Sequence, residues 1–76
     1  MRRKQVDSSV IATIGYDPRR CLLEVEFLTG KIYAYSDVPP AAHDALLAAE
    51  SIGRHFNLAI RDEYDCTLVS DAPRFG

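Results

Sequence analysis

Cys21-Leu22-Leu23-Glu24-Val25-Glu26-Phe27-Leu28-Thr29-Gly30-Lys31-Ile32-Tyr33-Ala34-Tyr35 is the stretch that decides the fold. Leu23, Val25 and Phe27 alternate with Glu24 and Glu26, so a strand here has one apolar face and one wet face. Gly30 can take the left-handed conformation that closes a three-residue hairpin loop, Leu28-Thr29-Gly30. That loop sets Val25 opposite Tyr33 and Leu23 opposite Tyr35. A two-residue loop, Thr29-Gly30, would set the tyrosines opposite Glu26 and Glu24 instead. It is disfavoured, because the tightest turns select Asn-Gly or Asp-Gly and threonine fits a positive φ poorly.

Upstream, Val10, Ala12, Ile14 and Tyr16 alternate with Ile11, Thr13 and Gly15, which predicts a preceding strand. Asp17-Pro18-Arg19-Arg20 has turn chemistry: proline pre-sets φ, and the aspartate can accept a bond from the backbone ahead. With those residues as the loop, Tyr16 faces Cys21, and Ile14, Ala12 and Val10 face Leu23, Val25 and Phe27. The other face then carries Ile11, Leu22 and Ile32 among Thr13, Glu24 and Glu26.

Downstream, Pro39-Pro40 suits a helix start, where no intrahelical partner is needed for the missing N–H. A first helix is expected from about Pro40 to Ala49, with Ala42, Ala45, Leu46 and Ala49 inward and His43, Asp44 and Glu50 off that stripe. Ser51 reads as the N-cap of a second helix ending near Arg61, with Ile52, Phe56, Ala59 and Ile60 inward. Helices this short need the sheet to hold them. Cys66-Thr67-Leu68-Val69 either adds a short strand or packs loosely. The expected fold is α+β: a three-stranded antiparallel β-meander followed by two short helices packed on one sheet face. Residues 1–7 read as a flexible leader, 8–69 as a single domain and 70–76 as a flexible tail.

The chain has 76 residues, 47% of them apolar and 26% charged, which leaves room for one core and excludes a second domain. A net charge of −2 opposes nucleic-acid binding by bulk charge, so any such binding needs a local patch. No apolar run can span a membrane, and Gln5-Val6-Asp7-Ser8-Ser9 stands where a secretory signal would need its apolar segment. The expected compartment is cytoplasmic. Cys21, His43, His55 and Cys66 lack any paired spacing, so no metal site is expected, and the two cysteines read as reduced thiols.

The ordered set Ser8-Ser9, Ile14-Gly15-Tyr16-Asp17, Leu23-x-Val25-x-Phe27-x-x-Gly30, Tyr33-x-Tyr35, Val38-Pro39, Ser51-x-Gly53-x-x-Phe56-Asn57-x-x-Ile60-Arg61-x-x-Tyr64 resembles the KTSC domain. The likeness runs from about Val6 to Tyr64. That family is named from the lysyl-tRNA synthetase C-terminus, where some members are appended, while others stand alone as small bacterial proteins. The attachment implies RNA as a partner. The family's central aromatic pair corresponds to Tyr33 and Tyr35. Where the family pattern leads one to expect an aromatic before Phe56, this chain has His55.

Tyr33 and Tyr35 share a strand face, as stacking aromatics do on RNA-binding sheets, yet the hairpin register turns both toward the helices as core. Arg54 and Arg61, with His55, Asn57 and Lys31, offer a basic and polar patch for phosphate, opposed by Asp62, Glu63 and Asp65. The candidate nucleic-acid-binding residues are therefore Tyr33, Tyr35, Arg54, Asn57 and Arg61. Arg2-Arg3-Lys4 and Arg19-Arg20 read as solvated charge in a leader and a turn. No Ser-His-Asp set, carboxylate pair or phosphate loop assembles, so neither a reaction nor a cofactor is indicated. The expectation is a small non-catalytic binding module for RNA. The alternative is a protein-interaction or self-associating module, a homodimer included, using the exposed sheet face through Ile11, Leu22 and Ile32.

Overall fold

Gly30 takes φ 99°, and the Phe27 N–H donates to the Lys31 carbonyl at 2.9 Å, which closes the hairpin on the three residues Leu28-Thr29-Gly30. In the computed structural model, which describes residues 3–70, this hairpin joins β3 (Leu22–Phe27) to β4 (Ile32–Tyr35). Val25 pairs with Tyr33 and Leu23 with Tyr35, as the loop chemistry predicts. The preceding elements are β1 (Arg3–Gln5) and β2 (Ile11–Asp17). Helices α1 (Pro40–Ala48) and α2 (Ile52–Ala59) and strand β5 (Cys66–Ser70) follow.

The sheet has five antiparallel strands in the order β1-β2-β3-β4-β5, not three. Arg3–Gln5, expected in a flexible leader, pairs with Gly15, Ile14 and Thr13 as an edge strand. Cys66–Ser70 forms the other edge against β4. The expected tail thus begins inside a strand at Ser70, and residues 71–76 lie outside the described residues. Of the two alternatives open for Cys66–Val69 the short strand is the one formed, whereas β1 escapes a pattern reading because an edge strand is held by backbone hydrogen bonds and buries few side chains.

Two further corrections concern β2. The turn is shifted: Tyr16 pairs with Leu23 and Asp17 with Leu22, so Cys21 is a turn residue with φ 51° and not part of the strand. Asp17 does bond ahead, accepting from the Arg19 N–H at 3.0 Å and from Arg20 Nε at 2.8 Å. Second, Ile11 pairs with Phe27 but Thr13 pairs with Glu26, which leaves Ala12 as an extra residue in a β-bulge. One inserted residue inverts the alternation beyond it. Ile11 is therefore fully buried under the helices, while Val10 is 44% exposed, the reverse of the expected assignment.

The helices begin where their caps predict. Pro39 is the N-cap of α1 with Pro40 following, and Ser51 Oγ accepts from the Arg54 N–H at the start of α2. Leu46, Phe56 and Ile60 descend from the helical layer onto Ile11, Ile14, Leu23, Val25 and Tyr35, with Val38 completing the core. The α1 stripe is rotated from expectation: Ala45 is exposed, and His43 is half-buried with its ring stacked on Tyr16 at 4.5 Å. The opposite sheet face has polar pairs at its centre between Leu22 and Ile32. Arg3 reaches across Gly15 to pair with Glu24, and Thr13 Oγ1 donates to Glu26 at 3.0 Å.

Candidate functional site

Where the hairpin and the C-terminal half of α2 diverge, the sheet is left uncovered. The result is an open groove of about 770 Å³ between β3-β4-β5 and the helix. Its floor is aromatic. Phe27 meets Tyr33 edge-on at 5.9 Å and Phe56 at 5.5 Å, and Phe56 meets Tyr35 at 5.4 Å, each close to perpendicular. Such T-shaped packing satisfies the ring quadrupoles and holds the floor in one arrangement. Phe56 and Tyr35 are buried, whereas Phe27 and Tyr33 are half-buried and present ring surface to the groove.

The walls combine the apolar Val10 and Leu28 with polar groups. Lys31 comes from the hairpin, while Asn57, Arg61 and Asp62 come from α2 and its exit, where Ile60 and Arg61 both donate to the Phe56 carbonyl at 3.0 and 2.9 Å. All four of these side chains are exposed. Among the described residues, none of the four makes a side-chain hydrogen bond or ion pair. Cys66, opposite Tyr35 across the β4–β5 ladder, closes the end of the floor. Burial pushes the Tyr35 phenol up to about 12, with the Cys66 thiol and Tyr33 adding to the effect and Arg61 opposing it. The Tyr35 hydroxyl is accordingly a neutral donor at any ordinary pH.

Of the residues singled out in the sequence, Tyr33, Tyr35, Asn57 and Arg61 line this groove, together with Lys31. Arg54 and His55 do not. Arg54 sits in the first turn of α2, at the opposite end of that helix from Arg61, which follows the C-cap Ile60. Tyr35 is 3% exposed, so it is core first and offers the groove no open face. The sequence reading missed Phe27 as part of the floor. Its signal was available: Phe27 is the last residue of a strand, directly before a hairpin loop that leaves it uncovered on one side.

A second cluster lies at the far end of the sheet. The Tyr16 hydroxyl donates to the Val38 carbonyl at 2.6 Å, and His43 stacks on the ring with an interplanar angle of 9°. Burial, followed by the Cys21 thiol, raises the Tyr16 pKa. His43, expected at the surface, is thus a packing partner.

A family model described as the KTSC domain matches residues 7–64, which span the bulged strand, the hairpin, both helices and the groove walls. The chain belongs to the KTSC domain family. Its fold is similar to the crystal structure of a KTSC domain protein from Yersinia pestis, with a TM-score of 0.88 and 38% identity, covering 91% of this chain and 97% of that one. An uncharacterized protein of Stutzerimonas stutzeri is 45% identical over 64 residues, which is 84% of this chain and 90% of that protein. A lysine–tRNA ligase of Nostoc punctiforme is 36% identical over 64 residues, only 11% of its own length. A stretch similar to this chain therefore makes up nearly the whole of one protein and a small part of another. Among the described residues of this KTSC chain, no helix is long and apolar enough to cross a membrane.

Proposed function

We propose that this domain is a small non-catalytic module that binds single-stranded RNA in the groove between α2 and the β3–β4 hairpin. One observation carries the reading: Lys31, Asn57 and Arg61, without side-chain partners among the described residues, line a groove whose floor exposes the rings of Phe27 and Tyr33. Bases offer flat π-faces to such a floor, and phosphates offer acceptors to such walls. The likeness to a segment of a lysine–tRNA ligase supports RNA as the class of partner.

Fluorescence anisotropy of a labelled single-stranded RNA oligomer, titrated at several salt concentrations, tests this. With two wall cations on phosphate, the slope of log K against log salt is about −1.4, since each single-strand contact contributes about −0.7. Tyr33→Ala removes a stacking ring and weakens binding by about 1–3 kcal/mol. Arg61→Ala lowers both affinity and slope, while Arg54→Ala, outside the groove, leaves the slope unchanged. No anisotropy change at high concentrations of folded protein would refute the reading.

A second reading, self-association, draws support from the β5 edge and not from the open sheet face. On that face Ile11 is absent, and Leu22 and Ile32 are separated along the sheet by Ala34 and by Glu24 with its Arg3 partner. Strand β5 carries no charge, with Leu68 46% and Val69 51% exposed, whereas β1 is guarded by Arg3 and Lys4. Sedimentation velocity across a wide concentration range checks it: a dimer should appear and be lost in Leu68→Lys, and a monomer throughout removes the idea.

A further inference from the structure

Asp62 is the one groove-lining residue whose charge works against a polyanion. Its carboxylate stands on the same wall as Asn57 and Arg61, is exposed, and has no ion-pair partner among the described residues. An ionised carboxylate can only accept hydrogen bonds, so within an RNA groove its use must be to meet donors. RNA offers few of these: base N–H groups and the 2′-hydroxyl.

From this chemistry, and resting on the RNA reading above, we infer that Asp62 and Asn57 read the Watson–Crick edge of a guanine stacked on the Tyr33 ring, with the perpendicular Phe27 ring meeting it edge-on. Guanine alone places two adjacent donors, N1–H and the N2 amino group, in the spacing that matches both oxygens of one carboxylate. Its neighbouring O6 is an acceptor, which the amide of Asn57 meets with its NH₂ group. Adenine and cytosine pair one amino donor with a ring nitrogen acceptor, which repels the second carboxylate oxygen. Uracil has a single N–H between two carbonyls. A groove lined by one carboxylate and one amide therefore rejects three bases by leaving its own or the base's groups unmatched, which is the stronger route to specificity. Lys31, on the hairpin side, remains for phosphate.

The test uses short oligouridylates with one central guanosine, inosine or adenosine, together with free 5′-GMP and 5′-AMP, against the full chain and Asp62→Asn. Asp62 is exposed, so the variant retains the fold, which circular dichroism verifies. Guanosine should improve binding about tenfold over adenosine, and inosine, which lacks the N2 amino group, should lose most of that gain. In Asp62→Asn the preference should fall below about twofold, while plain oligouridylate binds more tightly because a repelling charge is gone. Equal affinity for guanosine and adenosine oligomers, or a preference retained in Asp62→Asn, overturns the inference while RNA binding stands. Selective binding of 5′-GMP with no binding of any oligomer supports the guanine site and overturns the RNA reading. No binding of oligomer or nucleotide overturns both.

Discussion

Replacing Ile11 with alanine tests the bulge that sets the core, because its neighbour Val10 serves as an internal control. Ile11 is fully buried, and the change removes three carbons at about 0.8 kcal/mol each, or about 2.4 kcal/mol of transfer free energy. The cavity left among Ile14, Phe27 and the helical layer raises this to about 3–4 kcal/mol. Val10→Ala removes two carbons from a side chain that is 44% exposed, so only about 0.9 kcal/mol is at stake. A domain of this size is stable by about 5 kcal/mol, so Ile11→Ala should be close to its folding limit while Val10→Ala remains comfortably folded. Urea denaturation followed by far-ultraviolet circular dichroism measures both, with unchanged m-values required for the comparison. Equal costs, or a larger cost for Val10→Ala, would mean that the strand runs without the bulge and that the core has been assigned to the wrong phase.

Three further outcomes are expected. A Cβ added at Gly53 would meet Val10 Cγ2 at 2.7 Å and Ser8 Oγ at 3.3 Å, so Gly53→Ala should destabilise by about 1–2 kcal/mol despite its better helix propensity. In a Val10→Ala background the clash is relieved and the same change becomes neutral or stabilising; a urea double-mutant cycle reads the coupling, and its absence would show that the helix is not held against this loop. Tyr35 ionises near 12 against an ordinary value of 10.0, with desolvation as the main cause. The fold favours the neutral phenol, so its contribution is complete below pH 10.0 and is lost as pH rises toward about 12. Ultraviolet phenolate absorbance should show this late step, and Tyr35→Phe should reduce its amplitude by one phenolate while the raised Tyr16 remains. Tyr16→Phe should cost about 1 kcal/mol in thermal melts, because the Val38 carbonyl loses its donor at 2.6 Å while the His43 stack is kept; an unchanged melt would show that the bond contributes nothing.

For the candidate site, sequence reasoning reached Tyr33, Asn57 and Arg61 through residue chemistry, and Lys31 as an accessory. It included Arg54 because Arg54 and Arg61 are both basic and flank the second helix. Only the packing of α2 over the sheet shows that its N-terminal turn rests on Ser8 and Val10 through Gly53, while its exit alone borders open space. Phe27 and Asp62 joined the site for the same reason. Which side chains border a gap depends on what fails to cover them, and that is not a local property.

Local chemistry did determine the central hairpin. Gly30 after Leu28-Thr29 favours the three-residue closure, and that closure puts Tyr33 and Tyr35 on the sheet face that carries the helices. It also determined both helix starts, since a proline pair and a serine cap act within one turn of themselves. Tertiary structure alone decided the phase of β2 and the width of the sheet. Val10 and Ile11 are both apolar, so either could face inward by pattern, and it is the bulge at Ala12, with Ser8 Oγ accepting from both of their N–H groups at 3.2 Å, that chooses Ile11. Arg3–Gln5 and Cys66–Ser70 carry no buried stripe to announce them. They become strands because β2 and β4 leave unpaired backbone groups at their outer sides, a demand that exists only once the central strands are in place.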